Sequence, residues 1–533
     1  MPQEPVFVPA VDAVAGSLPL TAVVGLAPLI VFFLFLMGLK QSAYVSAAAA
    51  LVTALLGAVV GFGMPAKLAA LSMSEGLMFG LFPIVFIIWM AVWIYDLTVR
   101  AHRFEDLRQI FAALGRGDQR VQALLIAFSF GGLLEALAGF GAPIAIVTAM
   151  LLAIGIKPLR AVITTLVANT APVAFGAMAI PVTTASILSE QPLHDVAATT
   201  GKLMAILAAV VPFVLCFVLD GSRGFRQIWP VAVVLGATFS GGQFLASNYL
   251  TYELTNVVAS LLSLSVGIAF LKVWAPTTPE EQASAVSASP LTVQRTTLAL
   301  FPYVLVVVVF GVAKLWRIGV DIPAWLQSTD IAIAWPGLHG KIHSNGTMFN
   351  VNWLSGPGTL LLLCGLATAV VYAATDREFT VGGALRELID GLNRMKFSFL
   401  TIALVMALAY VMNFSGQTTA IGAALATTGS VFPLLSPVLG WVGTAVTGSA
   451  TSSNALFANM QASTAERIGA NQTLLVSANA AGAVTGKMLS PQTVSIAAAA
   501  AKMDNGEAQI MRAIAGFSFG LLAFMCVVVF LFA

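Results

Sequence analysis

The chain has 533 residues, 59% of them hydrophobic and 9% charged, where a soluble domain carries about 25% charged; the mean hydropathy is +0.94. That balance excludes a soluble globular enzyme, a disulfide-stapled secreted domain and a disordered chain. The net charge of +2, from 25 Lys+Arg against 23 Asp+Glu, leaves no polybasic character to hold nucleic acid, so the partner of most of the surface is the lipid bilayer.

Residues 1–17 carry Glu4 and Asp12 but no basic residue. They lack the positive n-region of a signal peptide and are read as a segment outside the membrane. A spanning helix needs about 20 mostly apolar residues. Runs of that kind predict spans near 18–38, 42–62, 76–98, 200–219, 229–247, 256–273, 295–316, 356–374, 396–414 and 511–532. Two longer apolar stretches, 121–189 and 429–501, are broken rather than continuous. The polar stretch 278–290 lies in a linker, 274–294, and the Trp-, Gly- and Asn-rich segment 317–355 forms a long loop. The chain thus divides into membrane repeat 1 (18–273, broken at 121–189) and membrane repeat 2 (295–533, broken at 429–501).

Basic residues in short loops mark the cytoplasmic side. Arg100, Arg103, Arg108, Arg116 and Arg120 follow the third run, whereas Arg377, Arg386, Arg394 and Lys396 precede the run at 396–414. Counting from either cluster puts the N-terminus and 317–355 outside and the 274–294 linker inside. The reversal suggests an inverted repeat. Residues 168–181 and 478–491 match at six of fourteen positions with an offset of 310: Ala168/Ala478, Asn169/Asn479, Ala171/Ala481, Gly176/Gly486, Met178/Met488 and Pro181/Pro491. The expected fold is an all-α polytopic membrane protein of two inverted-topology repeats, each with broken or re-entrant helices at the midplane, which is a transporter signature.

The breaks carry the candidate site. Gly139, Gly141 and Pro143 interrupt 133–147, and Ser449, Thr451, Ser452, Ser453 and Asn454 crowd 447–457. Hydroxyl and amide residues cap helix N-termini, whose free N–H groups attract anions. Asn169 and Thr170 ahead of Pro172 follow the same logic, with proline just inside a helix start. Such residues also serve as helix-packing seams. Two charges stand deep in apolar sequence, where ionisable groups are functional by default. Glu135 is the candidate proton carrier, or else a structural acceptor. Lys487, beside Asn479, Ser490 and Gln492, suits a substrate carboxylate, or else pairs with Glu135.

Nothing points to a cofactor or a metal. Cys216, Cys364 and Cys526 are scattered in apolar runs and read as small hydrophobes. The four histidines form no intramembrane pair for haem, and no phosphate-binding GxxxxGK[ST] motif occurs. Asp96 and Asp220 stand at helix ends. Asn345-Gly-Thr fits a glycosylation triplet that short chance matches also satisfy.

The stretches LLEALAGFGAPIAI, ANTAPVAFGAMAIP, GSATSSNALF and VTGKMLSPQ resemble the L-lactate permease family, which includes glycolate permeases. The similarity extends over essentially the whole chain. It implies a multi-pass protein of the bacterial inner membrane that takes up L-lactate, D-lactate and glycolate with protons, and no enzyme. One departure stands out: the family pattern Gly-Ser-Asp-Thr-Ser-Ser-Asn has its Asp where this chain has Ala450, which puts proton coupling in question. The expected function is secondary active, proton-coupled carboxylate uptake by alternating access. Sodium-coupled carboxylate transport, a passive channel and a membrane-embedded enzyme subunit are the alternatives.

Overall fold

With no water in the bilayer core, each apolar run must close its own backbone hydrogen bonds, and the runs fold as helices. The computed structural model describes residues 6–112, 117–137, 139, 141–279, 292–342, 347–503 and 506–533. Expectations resting on Glu4, Arg116, Asn345 and most of 278–290 lie outside the described residues. Among the described residues, eleven helices are long and apolar enough to cross a membrane, and the protein is an all-α polytopic membrane protein.

In chain order the helices begin with α1 (Leu18–Gly38), α2 (Ala43–Gly61) and α3 (Ala66–Arg100), then α4 (Arg103–Ala112) and α5 (Gln119–Leu137). Next come α6 (Ala142–Ala153), α7 (Pro158–Ala168) and α8 (Gly176–Ser189). They are followed by α9 (Leu193–Tyr249), α10 (Tyr252–Val273), α11 (Val293–Leu315), α12 (Pro357–Thr375), α13 (Val381–Phe414) and α14 (Gln417–Thr447). The chain closes with α15 (Ala450–Ile468), α16 (Gln472–Gly486) and α17 (Pro491–Ala500), then α18 (Glu507–Phe532).

Two of these are hairpins. In α9 the backbone leaves helical geometry at Asp220 and Gly221 and the arms fold back on each other. Ser240 Oγ donates to the Ala205 carbonyl at 2.6 Å, and Asn248 Nδ2 donates to that of Ala198 at 3.3 Å. These arms are the predicted runs 200–219 and 229–247. In α14 the turn lies at Gly429. Its first arm lies along α15 through Asn459 Nδ2, which donates to Thr418 Oγ1 at 2.9 Å, and its second through Ser436 Oγ, which donates to Gln461 Oε1 at 2.8 Å. The third predicted run starts ten residues earlier than its hydropathy indicates, at Ala66, because Ser72, Ser74 and Glu75 mask the helix start.

Around the breaks the two halves share an order of elements. Each runs helix, break, helix, short loop, helix, break, helix: α5 to α8 in the first half, and the second arm of α14 through α17 in the second. Leu137 and Thr447, the last residues before the first breaks, stand 310 apart, the offset of the sequence match. The helices on either side of the second break of the first half, Pro158–Ala168 and Val173–Ser189, are bent by 63° relative to each other.

Helix packing in lipid rests on small residues rather than on a hydrophobic drive. The second arm of α14 lies against α16 with backbones in contact: a Cβ on Gly482 would stand 1.7 Å from the Pro437 carbonyl oxygen. Any side chain there pushes the two helices apart.

Charged contacts sort the loops to two ends. At one end Arg100 pairs with Glu387 at 3.3 Å, Arg394 with Asp96 at 2.5 Å, and Asp106 with both Arg103 and Arg295. Nearby, Arg120 is fully buried against Asp118 and Asp220, each at 2.8 Å. Asp96 and Asp220 are therefore ion-pair partners and not free helix ends. At the other end Phe7 N donates to the Lys341 carbonyl at 2.8 Å, and Trp335 Nε1 donates to Ser74 Oγ at 3.1 Å. The N-terminal segment and 317–355 thus share one end. That long segment also holds an antiparallel pair of β1 (Ile331–Ala334) and β2 (Met348–Val351).

Candidate functional site

Three helix starts meet at one cavity. The first break of the N-terminal half places Gly141 as the residue ahead of α6, with φ at +92°, a backbone conformation that suits glycine. A Cβ on it would stand 2.5 Å from Ile496 Cδ1 of α17. The corresponding break in the C-terminal half turns at Gly448, with φ at +75°. Ser449 then caps α15, its Oγ accepting from Ser452 N at 3.2 Å. Ser490 caps α17 in the same way, accepting from Thr493 N at 3.1 Å, with Pro491 as the first helical residue. Gly141, Ser449, Ala450, Thr451, Gln492 and Thr493 line a cavity of about 60 Å³. At roughly 10–15 Å³ per water-sized probe, this holds about four to six waters or one small anion.

The cavity also contains one ammonium and one carboxylate. Lys487 Nζ stands 2.7 Å from Glu135 Oε1, and the pair spans 352 residues of sequence. The second carboxylate oxygen accepts from Asn169 Nδ2 at 2.9 Å. Glu135 is 2% and Lys487 7% exposed. A buried pair of this kind persists only where geometry and further hydrogen bonds offset the loss of water, and here the Asn169 amide supplies one. With Lys487 and Glu135 balancing each other, the three helix N-termini supply the cavity's remaining pull on anions.

The wall opposite is an unusual turn. Ala177, Met178 and Ala179 at the start of α8 have φ of +44°, +58° and +63°. Left-handed backbone costs an L-residue about 1–2 kcal/mol, and such geometry persists where surrounding packing over-determines it. All three are buried. The turn sets Gly176 against Glu135, whose Oε1 a Cβ there would approach to 3.0 Å, and it brings Ala177 and Ile180 to the cavity.

Of the residues the sequence singled out, Glu135, Gly139, Gly141, Ser449, Thr451, Lys487, Gln492 and the departure Ala450 line the cavity. Asn169 acts through Glu135, and Ser490 through its cap. The others point elsewhere. Thr170 Oγ1 donates to the Val167 carbonyl of its own turn at 2.6 Å. Ser452 contributes its backbone N–H to the Ser449 cap, and Ser453 Oγ donates to the Gly440 carbonyl at 2.9 Å. Asn454 Nδ2 donates to the Pro181 carbonyl at 2.8 Å, and Asn479 Nδ2 to Asn454 Oδ1 at 2.8 Å. This amide chain ties α15 and α16 to α8. Pro143 is the second residue of α6. Pro172 stands just ahead of a helix start and not inside it: α7 ends at Ala168, Pro172 precedes a single 3-10 turn at Val173–Phe175, and α8 follows from Gly176.

Sequence reasoning missed Gly176, Pro181, Gly448 and Thr493 on the cavity wall. Gly176 and Pro181 were visible as matches in the 310 offset. It also missed Gln243, whose Nε2 donates to the Ala171 carbonyl at 2.9 Å, and Asn256, whose Nδ2 donates to the Pro172 carbonyl. These two satisfy carbonyls that the break frees, as membrane interiors require.

The family model for L-lactate permease matches residues 21–533. The glycolate permease GlcA of Escherichia coli K12 is 36% identical over 526 residues, covering 93% of both chains. The L-lactate permease of Bacillus subtilis is 35% identical over 550 residues, covering 97% of both, and that of Escherichia coli K12 is 34% identical over 539, covering 96% of this chain and 95% of its own. Among solved structures, the YdaH transporter of Alcanivorax borkumensis aligns over 86% of both chains at 16% identity and a TM-score of 0.45, a likeness too loose to carry an argument. The relatives are permeases, which move substrates and do not transform them. With matches that run nearly end to end, the chain belongs to the L-lactate permease family.

Proposed function

We propose that this protein takes up lactate, in both enantiomers, and glycolate together with a proton across the bacterial inner membrane. In this reading the N-terminus and 317–355 face outward, the two halves are inverted repeats, and the site is exposed to each side in turn. The single observation that carries the reading is the buried Glu135–Lys487 pair at a cavity ringed by three helix N-termini.

The pair gives coupling a simple logic. With both groups charged the pair is neutral, and a lactate anion must compete with Glu135 for Lys487. A proton on Glu135 removes that competitor and keeps the occupied site neutral, so anion and proton are favoured together. Lys487 then holds the substrate carboxylate through a charge-assisted hydrogen bond, and Ser449, Thr451 and Gln492 are placed for the 2-hydroxyl. Electroneutral symport draws on the pH gradient, about 1.36 kcal/mol per unit, and not on the membrane potential.

The test is uptake of L-lactate into proteoliposomes with an acid exterior, the potential clamped and sodium absent. The expected result is an accumulation of about tenfold per pH unit, equal for this chain and for Ala450→Asp, because coupling rests on Glu135. An absolute need for sodium contradicts the reading. Accumulation by the Ala450→Asp variant alone would move the coupling role to position 450.

A further inference from the structure

Five carboxylates among the described residues are buried: Glu75, Asp106, Asp118, Glu135 and Glu253. Four of them meet a cation: Asp106 meets Arg103 and Arg295, Asp118 meets Arg120, Glu135 meets Lys487, and Glu253 meets Lys314 at 2.8 Å. Glu75 is the exception. It is 1% exposed, and neither of its oxygens has a hydrogen-bond partner.

Glu75 lies on the face of α3 formed by Leu68, Ser72, Glu75 and Phe79, all buried. This face packs on α13: a Cβ on the adjacent Gly76 would stand 2.7 Å from Ala407 Cα and 2.9 Å from Tyr410 Cβ. The Phe79 and Tyr410 rings lie 5.8 Å apart. Across the seam the titratable group is Tyr410, and beyond it stands Glu190 at the end of α8; both carboxylates are close enough to act on the phenol electrostatically. On its own helix Lys67 is exposed and two turns away, and α2 brings only Tyr44, which stacks on Phe397, more than three turns along α13 from Tyr410.

An ionised carboxylate left unpaired in such a place costs several kcal/mol, so the neutral acid is the form that fits. Cavities lie on the far side of Tyr410. Tyr410 lines two cavities, of about 460 and 470 Å³, that also share Glu190 and Gln191 and are walled in part by Met348, Phe349, Asn350 and Asn352 in one and Ile342 in the other, all of the 317–355 segment. We propose that Glu75 is a second proton-binding site, loaded in this conformation and filled past Tyr410 from the cavities at the 317–355 end. The ligand is a proton and not a metal ion: hard cations need several oxygens, while neither Glu75 oxygen has a polar partner and the α13 residues against the adjacent Gly76 are Met406, Ala407 and Tyr410. No group of three or more His, Cys, Asp or Glu among the described residues could hold a metal.

The inference goes beyond the Glu135–Lys487 site and holds whether or not that site couples protons. Its test is infrared spectroscopy of the purified full chain at neutral pH without substrate. The expected spectrum has a carboxylic-acid C=O band that Glu75→Gln removes, that Glu135→Gln leaves in place, and that shifts on transfer to D2O. If Glu75→Gln yields no folded protein, Glu75→Asp is expected to move the band. A band unchanged in both Glu75 variants, a band that does not shift in D2O, or one that disappears on adding sodium chloride overturns the proposal. No arm of this test needs lactate, so its failure is distinct from failure of the transport reading.

Discussion

Lys487→Gln is expected to abolish lactate accumulation and to weaken lactate binding by roughly a hundredfold. The ammonium supplies the only full positive charge on the cavity wall among the described residues, and a charge-assisted contact contributes about 1.5–3 kcal/mol, the upper end of which is about two decades of affinity. The substitution also strands Glu135, whose remaining partner is the Asn169 amide. Breaking a buried pair from one side costs about 3–5 kcal/mol, so the variant also unfolds at a lower temperature. Adding Glu135→Gln removes the stranded charge and restores thermal stability, yet restores no binding. That split, read by a thermal melt beside lactate titration, separates the binding role of Lys487 from its structural one. Recovery of both in the double variant would show that Lys487 serves only the pair.

Glu135→Gln alone has the opposite signature. Glutamine copies the shape of the protonated acid, leaves Lys487 free for the substrate, and cannot release a proton. Lactate counterflow, which needs only exchange, is retained, while accumulation falls from about tenfold per pH unit to none. The paired measurement is counterflow and gradient-driven uptake in the same proteoliposomes. Undiminished accumulation would remove Glu135 from the coupling mechanism.

Much of the architecture was legible because lipid leaves a backbone few choices. Ten apolar runs appear as helices, and the two broken stretches appear as α5 to α8 and as the region from the Gly429 turn to α17. What hydropathy blurred were polar residues on buried faces. Ser72 and Glu75 hid the start of α3, and Arg120, read as a loop charge, is sealed between Asp118 and Asp220. The site was legible in type but not in direction. Glu135 and Lys487 stood out by charge, and only folding could show them 2.7 Å apart. Asn454 and Asn479 carry the polarity of a binding residue, but their amides bond each other and the Pro181 carbonyl, since a broken helix must first satisfy its own neighbours. A sequence shows that a side chain is polar and leaves open which carbonyl claims it. The left-handed turn at 177–179 has no signal at all, because alanine and methionine are residues that ordinarily avoid it.

The central claim is that substrate and proton enter one site together through Glu135. The most direct measurement is the number of protons taken up when lactate binds to purified protein in weakly buffered solution above neutral pH. The account predicts about one proton per lactate, and none for Glu135→Gln, which still binds. Lactate binding by the unaltered protein with no proton uptake would contradict it.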